Sequence, residues 1–461
     1  MPTPVHVVGG GLAGCECAHQ LAMRGIDVVL WEMRPQRTTA AHQTGSLAEL
    51  VCSNSLRSDD PHHAAGLLKR EMEHFGSLII GAARQAAVPA GSALAVDRRV
   101  FANSVTRSLS RNPRVDLRRR ELTRIPEGTC VISTGPLTSP AMAAQLEELL
   151  GRESLFFYDA ISPIVEGGSL DLAKLFAASR YGRGGDDYLN AAMDEDQYLE
   201  FHHAIVDADL VALRDFEGRL FFEGCLPIEE MARRGVDTLR YGPMKPVGLR
   251  TPEGQRPYAV VQLRREDLAR THYSLVGFQS RMTWGEQRRI FRMIPGLEQA
   301  KFERLGQVHR NTFINAPMHL DRHYRIASAP QIRLAGQITG VEGYLESAAT
   351  GLAIGLYLSL EEPVESLPPA TALGALSRHL VDSNPENFQP ANINYGLFPD
   401  LEVRARKRER RALHAARAHD ELRAWALRNG VDFLVVDDGA NGDSVNAAKP
   451  TGREEMRAVG G

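Results

Sequence analysis

The chain opens on a short apolar run, "VHVV", broken by "GGGLAG". Apolar and small residues follow at helical spacing in "CECAHQLAMRG", and a second apolar run, "IDVVLWE", ends on a carboxylate. This pattern predicts a strand over Val5–Val8, a glycine turn, a helix from about Gly14 to Arg24, and a strand over Val28–Trp31 closed by Glu32. Together they make one βαβ unit. The segment "IRLAGQITGVEGYLESAATGLAIGLYLSL", 332 to 360, repeats strand, glycine-bearing turn and helix, with Ala348, Ala349, Gly351, Ala353 and Gly355 as a small-residue face for close packing. Between the two, "GTCVISTGPLTSP" predicts a strand over Cys130–Ser133 running into Thr134 and Gly135.

From about 156 to 304 the pattern changes to short mixed strands and turns, as in "YDAISPIVEGG" and "LRDFEGRLFFEGC". The expected organisation is an α/β, FAD-binding Rossmann-like fold carrying an inserted α/β domain. Its first nucleotide-binding part covers 1–155 and the insertion 156–304; the second part, with C-terminal helices, covers 305–430, and 431–461 is a small, polar, flexible tail. The insertion is expected to build the substrate side of a cleft, with "YGRGGDDY" (181–188) as a mobile loop.

The glycine spacing brings in chemistry. Gly9, Gly11 and Gly14 match GxGxxG, in which the first glycine permits the tight turn, the second lets backbone approach a pyrophosphate, and the third lets helix pack on strand. Gly10 and the amides of Leu12 and Ala13 complete the phosphate cradle at the helix N-terminus, and Glu32 is placed to accept hydrogen bonds from a ribose diol. Thr134 and Gly135, with Gly336, Gln337 and Gly340 of the second turn, are further candidates to touch the dinucleotide. Two such units, one towards each end of the chain, point to FAD as the resident dinucleotide. The second helix then aims its positive end at the isoalloxazine.

Composition narrows the class. A net charge of -3 over 461 residues neither recruits nor repels a polyanion as a whole, so any nucleic-acid partner needs a local basic patch. One candidate is "RARKRERRALHAARAHDELRAW" (404–425), a predicted helix with eight Lys/Arg against three Asp/Glu. Its arginines, interleaved with alanine, histidine and Trp425, could line a phosphate path, or the segment is simply a solvated helix face. Lys and Arg at 233, 234, 240, 245, 250, 256, 264, 265 and 270 would add to a basic side. Cysteines 15, 17, 52, 130 and 225 are odd in number and lack zinc spacing, so reduced thiols in a cytoplasmic protein are expected, with no disulfide framework and no metal. No apolar run is long enough to span a bilayer.

Cys15, Cys17 and Cys130 read as small core residues. Cys225 precedes Pro227 and a short predicted helix from Ile228 to about Arg234, closed by Gly235. It would therefore flank a helix N-terminus, where amides and dipole favour thiolate. Cys52, in "LVCSNSLRSDD", has Ser53, Asn54 and Ser55 beside it and Arg57 as the nearby cation. From local sequence alone, either thiol could equally be inert. Arg57, Lys245, Arg281 and Asn311 stand between substrate contact and structural ion pair or turn, and His309 reads as a core histidine.

The strings "LVCSNSLRSD", "GLLKREM", "VPAGSALAVDR", "FFEGCLPIEEMARRGVDTLRYGPMKPVGL", "LVGFQSRMTWGEQRRIFRMIPGLE", "HRNTFINAP" and "GYLESAATGL" resemble the folate- and FAD-dependent tRNA (uracil-5-)-methyltransferase family, TrmFO, from Val5 to about Asn394. The resemblance implies methylation of C5 of a T-loop uridine of tRNA, position 54, with 5,10-methylenetetrahydrofolate as carbon donor and NADH or NADPH reducing the flavin. It places Cys52 and Cys225 on the family's two functional cysteines. The division of labour expected here is Cys225 on uracil C6 and Cys52 at the flavin end of the methylene transfer. The same chemistry on ribosomal RNA, and an RNA-binding flavoprotein without methylation, are the rival readings. The partner the resemblance implies is the tRNA T arm, met by a monomer or homodimer. The likeness fades after 396, which leaves the basic segment outside it.

Overall fold

The computed structural model describes residues 3–39, 41–151, 155–160, 162–182, 185–211, 226–306, 308–403 and 405–434. Strand β1 (Val5–Val8), helix α1 (Leu12–Met23) and strand β2 (Val28–Trp31) form the expected βαβ unit. The helix begins two residues before Gly14, because Gly11 already serves as its N-cap. Helix α2 (Ala64–His74) follows, then β3 (Val115–Arg118), β4 (Cys130–Ile132), β5 (Ala329–Leu334), α3 (Tyr344–Ser359) and α4 (Lys407–Arg428).

The central sheet runs β5, β4, β1, β2, β3, with all four neighbouring pairs parallel and the short strand Arg325–Ile326 antiparallel on the β5 edge. Its register pairs Val5 with Val28 and His6 with Cys130. The unbroken burial of Val28–Trp31 and Cys130–Ile132 is what a parallel sheet covered on both faces requires. Strand β5 is encoded far downstream yet lies directly against β4, so residues from both ends of the chain share one core.

Helices α1 and α3 pack where small residues allow it. A Cβ on Gly351 would stand 2.1 Å from the Ala13 carbonyl oxygen, and one on Gly355 2.5 Å from the Gln20 Cβ. That contact explains the small-residue face read from the sequence.

A second, wholly antiparallel sheet has the order Leu175–Ala177, Tyr188–Met193, Ala259–Arg265, His272–Leu275, Ile164–Glu166, Phe302–Arg304 and its own buried cluster around Tyr198, Phe201, Phe278 and Phe291. The paired strands Leu155–Ala160 and Val308–Phe313 stand at its two chain junctions. Ile228–Arg233 is helical, with Pro227 at the N-cap, one place earlier than the expected N1, and Gly235 at a positive φ of 144° just beyond its end. Helix α4 forms as expected, and residues 431–434 dock against α2: Phe433 stacks on His74 at 4.2 Å, and the Leu434 amide donates to the His74 carbonyl at 2.9 Å. Cys225, residues 183 and 184 of the glycine-rich loop, and 435–461 lie outside the described residues.

Candidate active site

A cleft of about 1000 Å³ runs along the C-terminal ends of β1, β2 and β4 and across the N-termini of α1 and α3. Ligands of open parallel sheets sit at such strand ends. Gly9, Gly10, Gly11, Leu12, Ala13, Glu32, Thr134, Gly135, Gly336 and Gln337 all line it. Gly14 and Gly340 do not. A Cβ on Gly14 would lie 1.9 Å from the Gly9 carbonyl oxygen, and Gly340, at φ 94°, turns the chain beneath Phe388. Their work is to shape the two turns.

The cradle fits a dinucleotide. Gly9, at φ 112°, lets its turn close against the Ser133 carbonyl, while a Cβ on Gly11 would meet open space, so the Gly11 backbone is bare to the cleft. Neither α1 nor α3 has a side chain capping its N-terminus, which leaves first-turn amides of both helices free to meet anionic parts of a ligand. The residues present can therefore hold FAD, its phosphates at α1 and its ring system towards Tyr344 and Ser347 at α3.

Glu32 is more engaged than a simple ribose acceptor. Its carboxylate accepts from the Gly10 amide at 3.0 Å and from the Arg34 amide, Nε and Nη2 at 2.9, 2.9 and 3.0 Å. Arg34, 2% exposed, reaches on to Glu49 at 3.0 Å. Burial works against the charge on Glu32, but the hydrogen bonds and charge of Arg34 outweigh it and hold the carboxyl below its usual range. A ribose hydroxyl arriving here joins a network already in place.

Cys52 does not itself line the cleft, but its neighbour Val51 does. The cleft wall includes Val51 and Tyr344, and the hydroxyl of the half-buried Tyr344 accepts the Cys52 amide at 2.5 Å and the Ser53 amide at 3.1 Å. Three arginines far away in sequence fix the same stretch. Arg98 Nη1 donates to the Leu50 carbonyl at 2.9 Å, Arg304 donates to the Val51 carbonyl, and Arg264 Nη2 donates to Ser53 Oγ at 2.8 Å. Arg264 and Arg304 come from the second sheet, so the cysteine segment is bolted between both sheets. Burial pushes Tyr344 up and the charge of Cys52 adds to the effect, so the phenol stays neutral. Burial, then the charge of Arg98, pushes Arg304 down, whereas Glu266, 2.6 Å from Arg98, outweighs burial and holds Arg98 up.

Arg57, the cation expected beside Cys52, instead spends its guanidinium on Glu346, 2.6 Å away. The chain turns there, since Arg57 adopts φ 66°. Arg281 pairs with Glu230, a structural use. The side chains of His309 and Asn311 are outside the described residues, and Lys245 lines neither this cleft nor the second cavity taken up below. Of the basic residues in the insertion, Arg233 and Arg240 are taken up by Glu230 and Asp237, and Arg265 by the Asp186 carbonyl.

The other described cysteines are buried, and burial pushes all three thiols up, Cys130 to about 12. Cys52, half-buried, is the described cysteine within reach of solvent. Among the described residues no group of His, Cys, Asp and Glu could hold a metal, and no helix is long and apolar enough to cross a membrane.

Fold and cleft define an FAD-type flavoprotein whose nucleotide domain is assembled from both ends of the chain. The family model described as glucose inhibited division protein A matches residues 4–362. GidA of Aquifex aeolicus superposes with a TM-score of 0.65 over 92% of this chain and 74% of its own, at 15% identity, a likeness of fold. Methylenetetrahydrofolate-tRNA-(uracil-5-)-methyltransferase TrmFO of Geobacter sulfurreducens is 54% identical over 432 residues, 92% of this chain and 99% of its own. Its namesake in Syntrophotalea carbinolica is 54% identical over 428 residues, 92% and 93% of the two chains. This chain belongs to the TrmFO family.

Proposed function

We propose that this protein methylates C5 of a uridine in tRNA, position 54 of the T loop, taking the carbon from methylenetetrahydrofolate in the cytoplasm. Bound FAD, reduced by NADH or NADPH, supplies the electrons that turn a methylene into a methyl group. The observation that carries the reading is the half-buried Cys52, fixed through its own amide to Tyr344 at the α3 end of a dinucleotide cleft.

Uracil C5 is a poor nucleophile. A thiolate adding to C6 pushes electron density through the ring onto C5, which can then form a bond to an electrophilic carbon. Removal of the C5 proton by a base then expels the amine that carried the carbon and leaves an exocyclic methylene; a hydride added to that methylene makes the methyl group as the C5–C6 double bond returns and the C6–S bond breaks. Cys225, two residues ahead of Pro227, takes the C6 role in this scheme, and Cys52 serves the one-carbon end. Tyr344 and the three arginines hold the chain on both sides of Cys52, so the backbone that carries the sulfur is already ordered when the substrates arrive.

Single Cys52→Ala and Cys225→Ala enzymes, loaded with FAD and incubated with a 5-fluorouridine T-arm minihelix, test the division. The covalent adduct is expected to persist in Cys52→Ala and vanish in Cys225→Ala; the reverse result contradicts it. Mass spectrometry of 5-methyluridine in tRNA and rRNA from cells with and without the gene tests the reaction itself, and a loss confined to rRNA would move the target there.

A further inference from the structure

A second cavity of about 1360 Å³ opens beside the first strand after Cys52 and shares no lining residue with the dinucleotide cleft. Arg57, His63, Tyr395, Arg410, Arg411 and His414 face it, with Asp400 as the lone carboxylate in its wall. Arg57 is offset by Glu346, but Arg410 has no carboxylate partner among the described residues. Arg411 Nη1 sits 2.8 Å from His63 Nε2. A guanidinium can only donate, so that imidazole nitrogen accepts from Arg411. Asp60 Oδ2 lies 3.8 Å from the same His63 nitrogen, and His414, stacked on Tyr395 at 4.9 Å, is pushed down by burial and by Arg417 and Arg410.

The positive charge here therefore rests on Arg410 and Arg411, at the start of α4. In sequence the segment is strongly basic, residues 404 to 411 reading "RARKRERR", and the carboxylate of Glu409 is engaged by the Arg406 amide at the helix N-cap. Farther along, α4 changes character. Trp425 is fully buried, its indole N–H on the Glu365 carbonyl at 2.8 Å, and Arg428 pairs with Glu365. A cationic end that leads out of a cavity suits a chain of phosphates better than one isolated anion.

We propose that this cavity and the first turns of α4 hold the phosphodiester backbone of the RNA substrate, with Arg410 and Arg411 as the phosphate contacts. The inference rests on the tRNA reading above. It gives the enzyme a grip on RNA remote from the reacting base, linked to the active site through Arg57 and the first turn of α3.

The test uses the FAD-loaded enzyme and an unmodified T-arm minihelix, with affinity followed by fluorescence anisotropy across a salt series. For Arg410→Ala/Arg411→Ala the affinity should drop about tenfold at moderate salt, and the slope of log K against log salt should become shallower by roughly 1.5, two phosphate contacts' worth. Arg410→Lys/Arg411→Lys should restore most of the slope, and Arg428→Ala, on the same helix, should leave it unchanged. Flavin reduction by NADH and the KM for mono- and polyglutamylated methylenetetrahydrofolate should match wild type. An unaltered slope with RNA still bound overturns the proposal, and a rise in KM confined to polyglutamylated folate reassigns the cavity to the folate tail. Absence of RNA binding by the wild-type enzyme would instead sink the tRNA reading itself.

Discussion

Gly351 shows how much of the site depends on one missing methyl group. With a would-be Cβ 2.1 Å from the Ala13 backbone, Gly351→Val must push α3 off α1, and both helix N-termini face the cleft. Overpacking of this kind should lower stability by about 3 kcal/mol in denaturant titration and weaken FAD binding in parallel, because the two ends of the cradle move apart. A variant with wild-type FAD affinity would show that the helix separation is not what sets the site. At this scale the sequence is unevenly informative. Glycines whose spacing carries a motif were legible, as were buried Cys15, Cys17 and Cys130. The surroundings of Cys52 were not: Arg57 is near in sequence but bonded elsewhere, while Arg98, Arg264, Arg304 and Tyr344 reach Cys52 and its neighbours from distant segments. No periodicity pairs such residues. Their signal lay only in the family-like strings that contain Arg98 and Tyr344.

Elements fared better. The strand Val28–Trp31 falls where the apolar run predicts it, and Ile228–Arg233 ends one residue short of expectation at its glycine stop. Local hydrophobic period and punctuation by Gly and Pro suffice for these. Trp425 is a correction: placed among the candidates for a phosphate path, it is buried against Phe75 and anchors α4 to the core. A 3.6-residue period says which face a residue shares, but not whether that face meets solvent or protein. Helix α2 supplies a pH signature. Its Lys69 and Glu71 are both buried; burial pushes Lys69 down to about 8 and Glu71 up to about 8. Glu71 binds its proton more tightly folded than unfolded, so its contribution is complete below about 4.5 and is lost as pH rises towards 8. Lys69 is charged and buried below 8, and its penalty is relieved as pH climbs from 8 towards 10.5. The two effects add to a dip in stability near pH 8. Chemical denaturation at several pH values should find it in wild type and find it flattened in Lys69→Met/Glu71→Gln; a profile unaffected by both substitutions would contradict the burial argument.

For the whole molecule, the Rossmann-like class was legible because each half of the nucleotide domain carries its own strand, turn and helix pattern; the sequence pointed to an inserted α/β domain, but not to the wholly antiparallel order of the second sheet. The joining of the two sheets at Cys52 was not, since it rests on long arginines crossing from one core to the other. Because the cleft is walled by both halves, FAD should stabilise the entire nucleotide domain. Free FAD at a hundred times its Kd is expected to add about 2.7 kcal/mol to the unfolding free energy of the apoprotein. A calorimetric scan in which FAD leaves the transition of the central sheet unshifted would contradict that placement.

The seat of β5 beside β4 also bears on how the protein is made. On the ribosome, β1, β2, β3 and β4 emerge with one flank of their sheet open, and α1 shows its groove for Gly351 to the solvent until nearly the last quarter of the message has been read. Newly made N-terminal chains therefore carry an unpaired strand edge and a bare apolar face for most of synthesis, the condition under which chaperones are recruited. Stalled or truncated products lacking β5 and α3 should be cleared or aggregate rather than accumulate as half-enzymes.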